Sequence, residues 1–110
     1  MAKKIEVVIL GLGYIGLPTA ALISNTNKFV FGVDTNQNVV DTINKGQVHI
    51  VEPELDIAVE KAVKAGFLKA STRAVAANTY LLAVPTPFKS DNKPDISFVK
   101  AATSSVLNLL

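Results

Sequence analysis

The sequence predicts an α/β fold with a doubly wound parallel sheet, of which about four strands can be traced in the order βαβααββα. Short apolar runs rich in Val and Ile, typical of strands buried on both faces of a parallel sheet, alternate with segments of helical periodicity. Apolar residues make up 49% of the 110 residues and the mean hydropathy is +0.36, so a packed core is expected rather than disorder. A chain of this length makes one small domain at most.

The first half of the chain predicts a strand, a helix, a second strand and a second helix. These elements cover residues 4–10, 14–24, 29–33 and 36–44. Pro18 lies in the first turn of the first helix, where a missing N–H costs least, and the polar residues 25–27 end that helix. Leu17, Ala20 and Ala21 form its apolar face, and Gly46 ends the second helix.

The second half predicts a third helix, two more strands and a final helix. These elements cover residues 53–65, 67–71 and 80–84, with the final helix beginning near Asp95. Pro53 is expected in the first turn of the third helix, with Glu52 as its cap and Gly66 at its end. The apolar positions of the final helix are Ile96, Val99, Val106, Leu107 and Leu110.

Charge and cysteine content exclude several classes of function. The formal net charge is only +2 and the basic residues are scattered, so neither a nucleic-acid surface nor a polybasic membrane anchor is indicated. The chain has no cysteine, which excludes a disulfide framework, a cysteine metal site and a cysteine nucleophile within it. This composition is compatible with the cytoplasm, which is the expected location.

The uncharged run from Val7 to Asn27 has a second interpretation, as an export signal or a membrane span, because Lys3 and Lys4 precede it. Pro18 and the glycines would break such a helix near its middle, and no convincing cleavage site follows. The run is therefore interpreted as two elements, and no membrane partner is expected.

Gly11, Gly13 and Gly16 fit the pattern G-x-G-x-x-G, between a predicted strand and a predicted helix. This context is typical of a Rossmann-type dinucleotide-binding domain, since the first glycine allows a tight turn and the second lets the backbone approach a pyrophosphate. The third glycine lets the helix pack closely on the strand. The N–H groups of Tyr14 and Ile15 are expected at the helix N-terminus, where an anion is stabilised.

Asp34 ends the second strand, 23 residues after Gly11, where its carboxylate can accept hydrogen bonds from ribose hydroxyls. Neither Thr35 nor Asn36 supplies the arginine expected for NADP, so the predicted cofactor is NAD. The alternative is that Asp34 only ends a strand beside a helix cap.

Two further places are candidates with open alternatives. Thr86 follows the fourth strand beside the crevice where such sheets bind ligands, and Pro85 stiffens its turn; an ordinary proline-rich strand exit fits equally well. His49, the only histidine, is interpreted as a loop residue because no carboxylate or serine stands at a telling spacing. No metal-ligand cluster is visible in the sequence.

Four stretches, GLGYIGLPTAA, GVDTNQNVVDTINKG, HIVEPEL and LLAVPTPFKSDNKPDIS, resemble the amino-terminal segment of the UDP-sugar 6-dehydrogenases. HIVEPEL and VPTPFK favour the branch that acts on UDP-N-acetyl-D-mannosamine and serves bacterial polysaccharide synthesis. The resemblance implies NAD as hydride acceptor in two oxidations that convert the sugar C6 alcohol to the acid. It also implies cofactor contacts at Tyr14, Ile15, Asp34 and Thr86. Asn78 departs from the family, which usually has an acidic residue there.

The resemblance further implies that the catalytic residues lie elsewhere. In this family a cysteine nucleophile, assisted by a lysine, lies far downstream, so no catalytic residue is expected in this chain and it should not turn over by itself. Residues 1–110 are expected to be a partial NAD-binding domain, the N-terminal portion of a longer dehydrogenase. Only the longer protein is expected to bind the UDP-sugar. The alternatives are a stand-alone NAD-binding regulatory module and a piece of another dehydrogenase or a methyltransferase.

The strand count predicts a property of the isolated chain. A complete doubly wound nucleotide domain has its strands in the order 3-2-1-4-5-6. With about four strands, the fourth would be left as an unpaired edge, which invites pairing between chains. We therefore expect self-association through the edge of strand four.

Overall fold

The computed structural model describes residues 4–84 and 97–109. Its strands are β1 (Val7–Leu10), β2 (Val30–Val33), β3 (Leu68–Ser71) and β4 (Thr79–Leu82). Its helices are α1 (Gly16–Ser24), α2 (Gln37–Asn44), α3 (Leu55–Lys64) and α4 (Ser97–Val106), and α4 continues into a 3-10 turn over Leu107–Leu109.

All strand pairs are parallel, and the sheet order is β3-β2-β1-β4. This is the order expected of the first four strands of a doubly wound domain. The prediction of a parallel α/β sheet is therefore confirmed, with the predicted succession of elements. Because β1 lies between β2 and β4, its carboxyl end is placed at the centre of the described sheet edge.

Helices cover both faces of the sheet. On one face, α1, α2 and α3 bury a cluster that includes Ile9, Leu17, Ile43 and Val59, all fully buried. On the other face, Val8 and Leu10 of β1 pack with residues of α4. The period-two alternation of β1 thus supplies both cores, as expected for a strand that reads as a continuous apolar run.

The third helix begins later than predicted. Pro53 and Glu54 precede α3 rather than forming its first turn, because Glu54 has left-handed backbone angles, φ 63° and ψ 0°. Glu54 occupies the N-cap position, and no side chain caps the helix. Glu52 contributes only its carbonyl oxygen, which accepts from Leu55 N at 3.2 Å. The prediction of Glu52 as a side-chain cap is therefore wrong.

The apolar face of the final helix is shorter than predicted. Ala102 and Val106 are buried against the sheet, but Leu107 is 57% exposed. The helix passes into a 3-10 turn at this residue, where the spacing changes from about 3.6 to about 3 residues per turn. Asp95, Ile96 and Leu110 lie outside the described residues.

The two edges of the sheet differ. At the β3 edge, the Asn44 carboxamide donates to Ala70 O at 2.9 Å and accepts from Ala70 N at 2.8 Å, so one side chain replaces a neighbouring strand. At the β4 edge, no described residue hydrogen-bonds to the outer backbone groups of the strand in this way. Thr79 N donates to Glu6 O and Ala83 N donates to Leu10 O, so residues 79, 81 and 83 direct their backbone groups toward β1. Alternate residues of a strand direct these groups to opposite sides, and those of Leu82 therefore point away from the sheet.

Candidate cofactor site

The glycine turn between β1 and α1 leaves no room for side chains at two of its three glycines. Gly11 has φ +101°, and a Cβ there would lie 2.6 Å from the carbonyl oxygen of Ala83. A Cβ on Gly16 would overlap the carbonyl oxygen of Gly11. These two glycines therefore allow α1 to start directly against β1 and the exit of β4.

Gly13 is different because a Cβ there would meet nothing within 4 Å. Its carbonyl oxygen accepts from Leu17 N at 3.1 Å, which begins the helical hydrogen bonding before the first residue of α1. The N–H groups of Tyr14, Ile15 and Gly16 have no acceptor among the described residues. The turn thus presents open space and free donors at a helix N-terminus, an arrangement that suits an anion such as a pyrophosphate.

Asp34 is linked to this turn by a direct hydrogen bond. Its Oδ2 accepts from Leu12 N at 3.1 Å, and its Oδ1 accepts from Asn36 N at 3.0 Å. A carboxylate has about four lone-pair sites, so acceptor capacity for two ribose hydroxyls is left. The group is half-buried beside the carboxyl end of β2.

A cavity of about 650 Å³ opens beside Asp34. It lies at the carboxyl ends of the strands, and its lining includes Leu10, Gly11 and, from α4, Ala102 and Ser105. Its size is in the range of small-molecule and cofactor sites. Largely apolar walls with one carboxylate are suited to an adenosine, whose ring is flat and whose ribose carries hydroxyls.

The structure brings together Gly11, Gly13, Gly16 and Asp34 as the sequence predicts. The side chains of Tyr14 and Ile15 are 63% and 74% exposed, and the groups that these residues offer at the turn are their backbone N–H groups. α1 begins at Gly16 instead of Tyr14, which leaves both residues in the turn itself. That these residues bind the cofactor stays a prediction. Pro85 and Thr86 lie outside the described residues.

Sequence reasoning missed the third strand end. Thr72, Arg73 and Ala74 follow β3 and line the same cavity as Asp34. The signal was available, since the carboxyl ends of neighbouring parallel strands meet at one edge of the sheet. The prediction of NAD over NADP depended only on Thr35 and Asn36, which directly follow Asp34.

Other candidate residues do not join the site. His49 is exposed in the loop before α3, and it does not line the cavity. Within residues 4–84 and 97–109, no group of three or more metal-ligating side chains is found. In the same part of the chain, no helix combines the length and apolar character needed to cross a bilayer.

Residues 5–110 match the model of the UDP-glucose/GDP-mannose dehydrogenase family, NAD binding domain. The chain is 56% identical over 102 residues to the UDP-N-acetyl-D-mannosamine dehydrogenase of Salmonella typhi, and 50% identical over 106 residues to that of Campylobacter jejuni. These alignments cover 93% and 96% of this chain, but only 24% and 26% of the relatives.

Solved structures agree with the sequence relatives. The UDP-N-acetyl-mannosamine dehydrogenase of Staphylococcus aureus matches with a TM-score of 0.93 and 40% identity, over 96% of this chain and 26% of that one. The resemblance to UDP-sugar dehydrogenases is therefore confirmed, and this chain spans about a quarter of the length of these relatives. The chain belongs to the UDP-glucose/GDP-mannose dehydrogenase family, matches its NAD-binding domain and has NAD as the implied cofactor.

Proposed function

We propose that this chain binds NAD as the cofactor-binding part of a UDP-N-acetyl-D-mannosamine 6-dehydrogenase, which oxidises the C6 alcohol of the UDP-sugar to the acid. The observation that supports it best is the hydrogen bond from Leu12 N to Asp34 Oδ2, 3.1 Å. This bond joins the glycine turn, which has free N–H donors, to the carboxylate that would accept hydrogen bonds from the ribose. The names of the relatives supply the substrate class. NAD, when bound, accepts the hydride.

In this proposal the residues divide the dinucleotide between them. The N–H groups of Tyr14, Ile15 and Gly16 hold the pyrophosphate, and Gly13 leaves room for it. The carboxylate of Asp34 accepts from the adenosine ribose and repels a 2′-phosphate, which favours NAD over NADP. Pro85 and Thr86 are proposed to complete the site beyond the fourth strand.

Residues 1–110 act as a partial Rossmann domain without catalytic residues, so the UDP-sugar binds only where further chain is present. We propose a cytoplasmic location, with access to the cellular NAD pool. The alternative of a stand-alone NAD-binding regulatory module predicts the same NAD binding, and a cysteine encoded downstream of this segment would favour the dehydrogenase.

We also propose that the isolated chain self-associates through β4. Every residue of this strand is exposed or only half-buried, with Leu81 at 38% and Leu82 at 42% exposure. Strand β3, by contrast, carries the exposed Lys69 and has Asn44 on its edge. Charged or covered edges resist pairing, and plain apolar edges invite it.

Calorimetric titration of NAD and then NADP into the wild-type chain tests the proposed function. We expect weak NAD binding, no NADP binding, and loss of the NAD signal in Asp34→Ala. No binding at millimolar NAD would overturn the proposal for this chain. Incubation with NAD and UDP-N-acetyl-D-mannosamine should produce no NADH fluorescence, and measurable turnover would contradict the absence of catalytic residues.

A further inference from the structure

We propose that Arg73 gives the cavity a cationic side able to hold a 2′-phosphate, so that discrimination against NADP rests on Asp34 alone. This inference rests on the proposed function, because it assigns a role within the same adenosine site. It concerns the residues after β3, which the glycine motif does not include.

Asp34 and Arg73 follow neighbouring strands and line the same cavity. β2 and β3 are parallel neighbours with Val33 opposite Ser71, and Asp34 N donates to Ser71 O at 3.1 Å. Both strands end at the Val33–Ser71 pair, and Arg73 follows Ser71 by two residues in a bend. Arg73 N also donates to Ser71 Oγ at 3.1 Å, which fixes the turn after β3.

Asp34 and Arg73 are the two charged residues among the described residues that line the cavity. Both oxygens of Asp34 are engaged by backbone N–H groups, which hold the carboxylate toward the glycine turn. Arg73 makes no salt bridge within 4.0 Å to any acidic group of the described chain, and its side chain is exposed. The cavity lining therefore includes one anionic residue after β2 and one cationic residue after β3.

The chemistry of the guanidinium suits a phosphate. It is planar, always charged, and carries donors that match two phosphate oxygens at once. Rossmann-type sites that accept NADP use an arginine near the ribose for this purpose. Here that arginine comes from the neighbouring strand end, and the carboxylate of Asp34 opposes the phosphate that Arg73 would attract.

The test uses two probes that need no nicotinamide half-site: adenosine 2′,5′-bisphosphate, which carries the 2′-phosphate, and 5′-AMP, which lacks it. Each is titrated calorimetrically into the wild type, Asp34→Asn and the double variant Asp34→Asn/Arg73→Gln. We expect Asp34→Asn to bind the bisphosphate about tenfold more tightly than the wild type, and Arg73→Gln to remove most of that gain. Binding of 5′-AMP should change about twofold or less on Arg73→Gln.

Arg73→Lys is the matched control. It keeps the charge without the planar fork, so its bisphosphate affinity should lie between those of arginine and glutamine. A gain in Asp34→Asn that persists in the double variant would overturn the assignment of Arg73. No gain in Asp34→Asn would overturn the claim that Asp34 alone excludes the phosphate.

If Asp34→Asn fails to fold, circular dichroism will show it. The single variant Arg73→Gln then still tests the proposal, because it keeps Asp34. In an otherwise wild-type chain, where Asp34 already opposes the 2′-phosphate, Arg73→Gln should not strengthen bisphosphate binding, and a tighter affinity would count against the proposal. The proposed function is judged separately, by NAD titration of the wild type. If Asp34→Asn binds the bisphosphate through Arg73 while the wild type fails to bind NAD, the proposed function is wrong and the assignment of Arg73 stands.

Discussion

Leu12 N donates to Asp34 Oδ2 at 3.1 Å, so the glycine turn after β1 and the acid that ends β2 form one hydrogen-bonded unit. Leu12 itself is only 1% exposed, with its side chain in the main core. The second oxygen of Asp34 accepts from Asn36 N and holds the start of α2. The carboxylate therefore orders the backbone of the site and also faces the cavity.

Asp34→Ala should lose both functions. We expect NAD binding to fall below detection and the free energy of unfolding to drop by about 1–3 kcal/mol, because the N–H of Leu12 loses its acceptor away from water. Calorimetry and urea denaturation measure the two effects. The control is Asp41→Ala on the exposed surface of α2, which should change stability by about 0.5 kcal/mol or less and leave NAD affinity unchanged. Equal effects of the two substitutions would contradict this account.

Two alanine substitutions in the turn separate folding from binding. Gly13→Ala adds a methyl group where nothing lies within 4 Å, so the protein should fold with nearly unchanged stability but lose NAD affinity, because the methyl fills the pyrophosphate space. Gly16→Ala drives its Cβ into the Gly11 carbonyl oxygen and should destabilise the fold by several kcal/mol. Thermal unfolding and NAD titration distinguish them. If Gly13→Ala binds NAD as tightly as the wild type, the pyrophosphate does not bind at this turn.

The sequence predicted the order of elements because each depends on local signals. β1 is an apolar run that ends at Gly11, and β2 is an apolar run between Lys28 and Asp34. Such runs are typical of the buried strands of parallel α/β proteins. The boundary at α3 was wrong because proline statistics place Pro53 inside a helix. Nothing local indicates that Glu54 would take left-handed angles, which only glycine adopts without cost.

The site was predictable where a motif fixes several residues at once. Gly11, Gly16 and Asp34 are required by a turn, a close packing contact and a strand end, and the structure brings them together. Arg73 was missed because its place depends on the pairing of β3 with β2, a contact between distant segments. Such a contact follows from sheet topology, which single-sequence periodicity does not contain.

Glu54→Gly should stabilise the chain. Glu54 has φ 63°, and a left-handed residue with a side chain costs about 1–2 kcal/mol, of which the greater flexibility of glycine in the unfolded chain offsets part. We expect a net gain of about 1 kcal/mol or less in urea denaturation. Glu52→Gly, at a position without positive φ, serves as the control and should lower stability. A gain from Glu52→Gly, or a loss from Glu54→Gly, would contradict the strain at Glu54.

The proposed self-association through β4 makes a prediction specific to one residue. The backbone groups of Leu82 point away from β1 and its side chain is 42% exposed, so Leu82→Lys places a charge on the free edge without removing a hydrogen bond of the sheet. Sedimentation and light scattering over a concentration series should show dimers or larger species for the wild type, and monomers for Leu82→Lys.

Leu107→Lys is the matched control, because Leu107 is 57% exposed but lies in the 3-10 turn after α4. It carries the same change of charge and should leave association unchanged, since it removes exposed apolar surface outside the strand edge. If both lysine variants dissociate the complex, general apolar contact explains the association. A wild-type chain that stays monomeric at high concentration would exclude pairing through β4, because an apolar strand edge that is free in solution gains hydrogen bonds and buried surface when two copies meet.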